Sequence, residues 1–210
     1  MMIDIYKYET ELNEKGYKYI AGCDEAGRGP MAGPLVASSV ILKNGYRLEG
    51  LNDSKKLTPK MRDKLFDIIM QDAVEVQVTI VSVEDVDKMN VYAASKYAMT
   101  NCVNSFKHKP DYVLTDCMPL EDIESQGIEV LDLIKGDSKS ASIAAASIIA
   151  KVTRDRIMDE LDKEYPQYGF KKHKGYVTKF HREMLQKYGV SSIHRKTFAP
   201  VKEVLEKNIK

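Results

Sequence analysis

Four carboxylates stand at the ends of extended apolar runs in this chain of 210 residues. Asp24 and Glu25 fall in the stretch Cys23-Asp24-Glu25-Ala26-Gly27-Arg28-Gly29-Pro30, Asp116 follows Tyr112 to Thr115, and Asp137 lies in Gly136-Asp137-Ser138-Lys139-Ser140. Taken singly, an aspartate after a strand is most often a turn residue or a helix cap. Taken together they admit another reading. Strand ends line the ligand crevice of open α/β sheets, so positions distant in sequence can converge there. Four carboxylates brought together without basic neighbours repel one another strongly unless divalent cations neutralise them. Oxygen-only ligation points to Mg2+ or Mn2+ rather than zinc. Two such ions, ~3.5–4 Å apart, activate a water and stabilise the leaving oxygen of a phosphodiester.

Neighbouring motifs narrow the choice. The run Gly27 to Gly33 nearly matches the dinucleotide-binding glycine pattern, but its third glycine comes one place late and the chain continues into a strand where that fold needs a helix. The Gly136 to Ser140 run lacks the upstream glycine and the Gly-Lys-Ser/Thr order of a phosphate-binding P-loop. Cys23 and Cys117 flank two of the acids, yet no histidine stands at the spacing a zinc site requires. With Cys102 they make an odd set of three without a CxxC pair, which fits a reducing cytoplasm. No leader segment is read at the N-terminus, and the longest apolar run, Ala141 to Ala150, is far short of the ~20 residues that cross a bilayer. No membrane partner is expected.

The formal net charge of +1 hides an asymmetry, with residues 1–150 at −6 and 151–210 at +7. In 171–200, Lys171, Lys172, Lys174, Lys179, Arg182, Lys187, Arg195 and Lys196 face only Glu183, with Phe180, Tyr176, Tyr188 and Phe198 interleaved. Such a segment suits a polyanion, because cations release counterions from phosphates and aromatic faces stack on bases or sugars. The plain alternative is a solvated helical face with its own core aromatics. His173, His181 and His194 either contact phosphate or pack.

The elements that would position these residues follow from periodicity. Helices are expected over Asp4 to Glu14, Pro59 to Gln71 with Thr58 as cap, Val91 to Phe106, Ser140 to Leu161, Tyr176 to Lys187 and Val201 to Lys207. Strands are expected over Tyr17 to Cys23, Leu35 to Leu42, Val74 to Val81, Tyr112 to Thr115 and Ile128 to Ile134, the first two joined as a hairpin. The fourth helix opens apolar nearly all round, which places it centrally. Antiparallel strands followed by alternating strands and helices predict an α/β fold with a mixed sheet flanked by helices. A core of 1–160 and a helical C-terminal part of 161–210, packed on it, are the expected domains.

Six segments in this order, "AGCDEAGRGPMAGPLV", "LNDSKKLTPKMR", "YVLTDC", "KGDSKSASIAAASIIAKVTRD", "YPQYGFKKHKGY" and "HRKTFAPVK", resemble the bacterial ribonuclease HII family of type 2 ribonucleases H, over about Tyr19 to Leu205. The resemblance implies a ribonuclease-H-like sheet with a helical C-terminal extension. It implies that Asp24, Glu25, Asp116 and Asp137 are catalytic and hold two ions of Mg2+ or Mn2+. It also implies that Gly27, Arg28 and Gly29 read the 2′-hydroxyl of a ribonucleotide and a neighbouring phosphate. By the same resemblance Tyr176 packs on the following deoxyribose, and Ser54, Lys55 and Lys56 contact phosphate. The implied partners are RNA/DNA hybrids and DNA duplexes containing ribonucleotides, cut 5′ to the ribonucleotide to leave 3′-hydroxyl and 5′-phosphate ends; a monomer is the default expectation for the assembly. The rival readings are a ribonuclease HIII-like enzyme restricted to longer hybrids, a DNA nuclease on the same fold, and a non-catalytic binding module.

Overall fold

A computed structural model describes residues 4–52 and 54–207, so the outermost residues of both expected domains lie outside it. Its centre is a five-stranded sheet of β1 (Ile20–Ala26), β2 (Leu35–Ile41), β3 (Glu75–Val81), β4 (Tyr112–Asp116) and β5 (Glu129–Leu133), in the order β3-β2-β1-β4-β5. β1 pairs antiparallel with β2, and β2 with β3. β4 and β5 join in parallel on the other side of β1. All seven residues of β2 are buried, as expected for a strand covered on both faces.

Helices close both faces. The first face is covered by α3 (Val83–Met89) and α4 (Val91–Asn104), whose Ala94, Ala98, Met99 and Cys102 pack on Ala21, Cys23, Leu35 and Ala37. On the second lie α2 (Pro59–Asp72) and α6 (Ala141–Glu164), the latter laid across β1 and β2. The short α5 (Glu121–Glu124) precedes β5. The small residues opening α6 allow very close packing: a Cβ on Gly22 of β1 would fall 2.1 Å from the Ser142 carbonyl carbon. Ser140 caps the helix through a bond to the Ile143 N–H. Glu9, buried on α1 (Lys7–Glu14), accepts from the Ser142 N–H at 2.9 Å and the Ser140 hydroxyl at 2.5 Å. The N-terminal helix thereby fixes the head of the central one.

Several boundaries differ from the expectations. β1 does not stop at Cys23: Asp24 and Glu25 remain paired with Ser38 and Ala37, and the ladder breaks only at Gly27, whose φ is +104°. The two acids therefore lie inside the strand, where their positions are fixed by ladder bonds. The connection from β1 to β2 is a longer loop that bonds to the C-terminal part through Met31 N–H to Gly175 C=O, 3.0 Å, and Gly33 N–H to Ile193 C=O, 2.9 Å. The Tyr176 helix starts later, at Lys179, because Thr178 supplies the capping oxygen to the His181 N–H. Tyr176 thus sits in the preceding loop. The C-terminal part comprises α7 (Phe170–His173), α8 (Lys179–Tyr188) and α9 (Ala199–Lys207), and its core residues close around Met31 and Ala32 of the β1–β2 loop. No helix among the described residues is long and apolar enough to cross a membrane.

Candidate active site

Parallel pairing places the ends of β1 and β4 side by side, and the turn after β5 returns beside them. One carboxylate oxygen each from Asp24, Asp116 and Asp137 lie within 4.8 Å of one another. Asp24 and Asp137 are buried, and Asp116 is partly so. Asp116 accepts from the Gly136 N–H at 2.7 Å, which ties the end of β4 to the turn carrying Asp137. Burial, with the charges of Glu25 and Asp116 behind it, holds the Asp24 carboxyl well above its ordinary pKa, although the Ser147 hydroxyl and the Glu25 N–H partly stabilise the anion.

Glu25 stands beside this trio. Its Oε1 lies 3.4 Å from the Arg28 guanidinium, and its Oε2 is buried with no hydrogen-bond partner. Burial also raises the Glu25 pKa, against the pull of Arg28 and with the push of Asp116. Lys55 reaches Asp137 at 3.1 Å. The acids therefore have basic neighbours, and both cations come from segments that the family resemblance assigns to phosphate.

The donor set suits a hard cation. Three oxygen ligands converge where two of the three residues are buried, and at Asp24 the burial and the neighbouring charges make the anion costly. The residues present therefore fit a divalent ion.

Beside the acids, the loop after β1 exposes Arg28 and Gly29. A Cβ on Gly29 would lie 3.7 Å from the Tyr176 ring, which is 45% exposed. The arginine-glycine loop and this aromatic face thus adjoin. In the segment 54–56, Ser54 is buried with its hydroxyl 2.8 Å from that of Ser147, whereas Lys55 and Lys56 are exposed. The basic C-terminal segment divides similarly. Lys171, Lys172, Lys179, Arg182, Lys187 and Lys196 are exposed, but Lys174 is paired with Asp159 and Arg195 is fully buried.

The histidines pack. His181 and His194 are buried, with Nε2 atoms 3.1 Å apart, and burial lowers their pKa values to about 4 and about 3. His181 Nδ1 bonds to the Tyr176 carbonyl at 2.9 Å, and His173 stacks on His181.

Arg154 escaped the sequence reading, and Arg195 is turned inward instead of toward a polyanion. Arg195 donates from Nε and Nη2 to the Gly33 carbonyl, at 3.0 and 2.8 Å, and from Nη1 to the Arg28 carbonyl at 3.3 Å. Arg154, on α6, is 1% exposed and bonds only to main-chain carbonyls. For Arg154 a signal existed: with Ser147, Ala150 and Met158 it occupies a buried stripe at helical spacing, where a guanidinium needs partners.

Comparison with known proteins agrees with this geometry. The family model described as Ribonuclease HII matches residues 21–201. Ribonuclease HII of Acholeplasma laidlawii is 52% identical over 206 residues, covering 98% of this chain and 100% of that one. Its counterpart from Acetivibrio thermocellus is 54% identical over 191 residues, 91% of this chain and 73% of that one. Among solved structures, the ribonuclease H2 of Pyrococcus horikoshii superposes with a TM-score of 0.80 at 30% identity, over 91% of this chain and 99% of that one. A Bst-RNase HIII solved in complex with Mn2+ shares the fold at 18% identity and a TM-score of 0.69, over 91% of this chain and 70% of that one. With buried acids at the strand ends, a ribonuclease-H-like sheet and relatives matching over nearly its full length, this chain belongs to the ribonuclease HII family and is a nuclease of the ribonuclease H type.

Proposed function

We propose that the chain is an endoribonuclease that hydrolyses the phosphodiester 5′ to a ribonucleotide, both in RNA/DNA hybrids and at single ribonucleotides embedded in duplex DNA, leaving 3′-hydroxyl and 5′-phosphate ends. The observation that carries this reading is the adjacency of the aspartate cluster, the Gly27-Arg28-Gly29 loop and the Tyr176 ring. An acid cluster alone would serve any phosphodiesterase, whereas a glycine-flanked loop beside an exposed aromatic gives the site a means to read sugars.

In this reading Asp24, Glu25, Asp116 and Asp137 hold two ions of Mg2+ or Mn2+. When bound, the ions supply the nucleophilic water and the charge that stabilises the leaving oxygen. The chain's own groups do the rest. Gly27 and Gly29 let the main chain approach the ribose 2′-hydroxyl, and Arg28, now beside Glu25, turns to the neighbouring phosphate. Tyr176 packs on the deoxyribose that follows. Lys55 and Lys56 attract phosphates, while Ser54, bonded to Ser147, anchors their turn to α6. The protein acts as a cytoplasmic monomer.

The test uses two end-labelled DNA duplexes that differ by one 2′-hydroxyl, incubated with the protein and either cation. A single cut 5′ to the ribonucleotide and none in the all-DNA duplex is the expected result. Cutting of both makes it a DNA nuclease, and cutting of long hybrids alone makes it ribonuclease HIII-like.

A further inference from the structure

One guanidinium in the interior touches both loops that flank the acids. From its place on α6, Arg154 donates from Nε to the Pro34 carbonyl at 2.9 Å and from Nη2 to the Ala32 carbonyl at 3.0 Å, both in the loop after β1. Its Nη1 donates to the Lys174 carbonyl at 2.9 Å, two residues before Tyr176. A Cβ on Gly27 would meet Arg154 Nε at 2.4 Å, so the start of the arginine-glycine loop also rests on this side chain. The loops touch directly as well: a Cβ on Gly175 would lie 2.3 Å from the Ala32 carbonyl oxygen.

Burial lowers the Arg154 pKa to about 10, yet the residue forms no ion pair among the described residues. A charge buried without a counterion calls for strong compensation, here supplied by three carbonyls matched to a planar fork. Lysine, a point charge on a flexible stem, cannot reproduce that arrangement. Arg195 differs in kind, since among the described residues its guanidinium hydrogen-bonds to the loop after β1 alone and its face covers the Phe198 ring.

We propose that Arg154 is a positioning residue that sets the separation between the Gly27-Arg28-Gly29 loop and Tyr176, and so makes cleavage depend on a ribonucleotide followed directly by a deoxyribonucleotide. This inference rests on the functional reading above. A single embedded ribonucleotide must be gripped by both loops at once. A continuous hybrid offers ribose at every position of the strand and does not require that register. Displacing one loop relative to the other therefore harms the first substrate more than the second.

The test compares Arg154→Lys with the unaltered protein on a duplex with one ribonucleotide and on a continuous RNA/DNA hybrid, alongside thermal melting. Arg154→Lys is expected to lower kcat/KM on the single ribonucleotide roughly tenfold more than on the hybrid, since displacements near 1 Å are costly in positioned reactions. In a Tyr176→Ala background the same change should add no further selective loss. Equal losses on both substrates, or full additivity with Tyr176→Ala, would overturn the proposal. Should Arg154→Lys fail to fold, Gly175→Ala pushes the loops apart without touching the arginine. It should give the same selective loss, and an unchanged preference would likewise refute the idea. An unaltered protein that ignores single ribonucleotides defeats the functional reading itself, a result visible before any variant is compared.

Discussion

Two regions of this molecule bury charge, and they do so in opposite ways. At the ends of β1 and β4, Asp24 and its acidic neighbours lie close together, and burial with the neighbouring charges raises the Asp24 pKa. Under the loop after β1, Arg154 and Arg195 are at least as deeply buried, yet their donors are met by main-chain carbonyls. The guanidinium region is completed by the chain itself. The carboxylate region is only partly neutralised, by Arg28 and Lys55 at its rim, and leaves Glu25 Oε2 buried without a hydrogen-bond partner, and that contrast separates a scaffold from a site.

Substitution should expose the contrast most sharply at the acids. Asp24→Asn or Asp116→Asn is expected to abolish cleavage, a loss of about a thousandfold or more, while substrate binding survives. In metal-free buffer the Asp24→Asn protein should melt about 2–4 °C higher than the parent, because a buried repulsive charge has gone. A lower melting point would erase the distinction drawn here. Arg154→Met should act in the other direction, destabilising by about 3 kcal/mol or more in urea unfolding, since it strips partners from three carbonyls at ~1–3 kcal/mol for each buried group left unsatisfied.

Acidity offers a gentler means of separating the regions. His181 and His194 have folded pKa values of about 4 and about 3, below the ordinary 6.5, so their neutral forms favour the fold. That stability is complete above pH 6.5 and is lost as pH falls toward 4. Asp24 and Glu25 are raised, so in metal-free protein their contribution is fullest at low pH, where both states are protonated, and declines as pH rises through their folded pKa values. Melting curves across pH 4 to 8 should therefore show opposing trends, and Asp24→Asn should weaken only the second. The smallest effect on stability belongs to Tyr176→Ala, expected to stay within about 0.5 kcal/mol because the residue is 45% exposed and lies outside the core clusters. Its cleavage of single ribonucleotides should fall all the same.

Much of this arrangement was legible in the chain itself. The convergence of Asp24, Asp116 and Asp137 could be anticipated because extended apolar runs precede them, and the small residues of α6 announced its central packing. What escaped was decided by tertiary context. β1 runs on through Asp24 and Glu25 because β2 offers partners as far as Val36, a pairing no local pattern reveals. Arg195 counted as a phosphate-facing cation by its neighbours in sequence, but the Gly33 and Arg28 carbonyls, more than 160 residues away, claim it. Lys55 and Arg28 carry the right charge for phosphate, yet in this structure they lean on the acids. The folds α3, α5 and α7 are short, and their apolar spacing spans too few turns to register.

The bonds from Arg195 to the loop after β1 also govern timing. Met31 accepts from the Arg195 N–H at 2.9 Å, and the Gly33 and Arg28 carbonyls from its side chain. A chain emerging from the ribosome carries the arginine-glycine loop more than 160 residues ahead of the arginine that fixes it. The sheet can begin to assemble during synthesis, but the arginine-glycine loop cannot be set until Arg195 has been added. The sheet that carries the acids therefore precedes, in the order of folding, the loop that lies beside them.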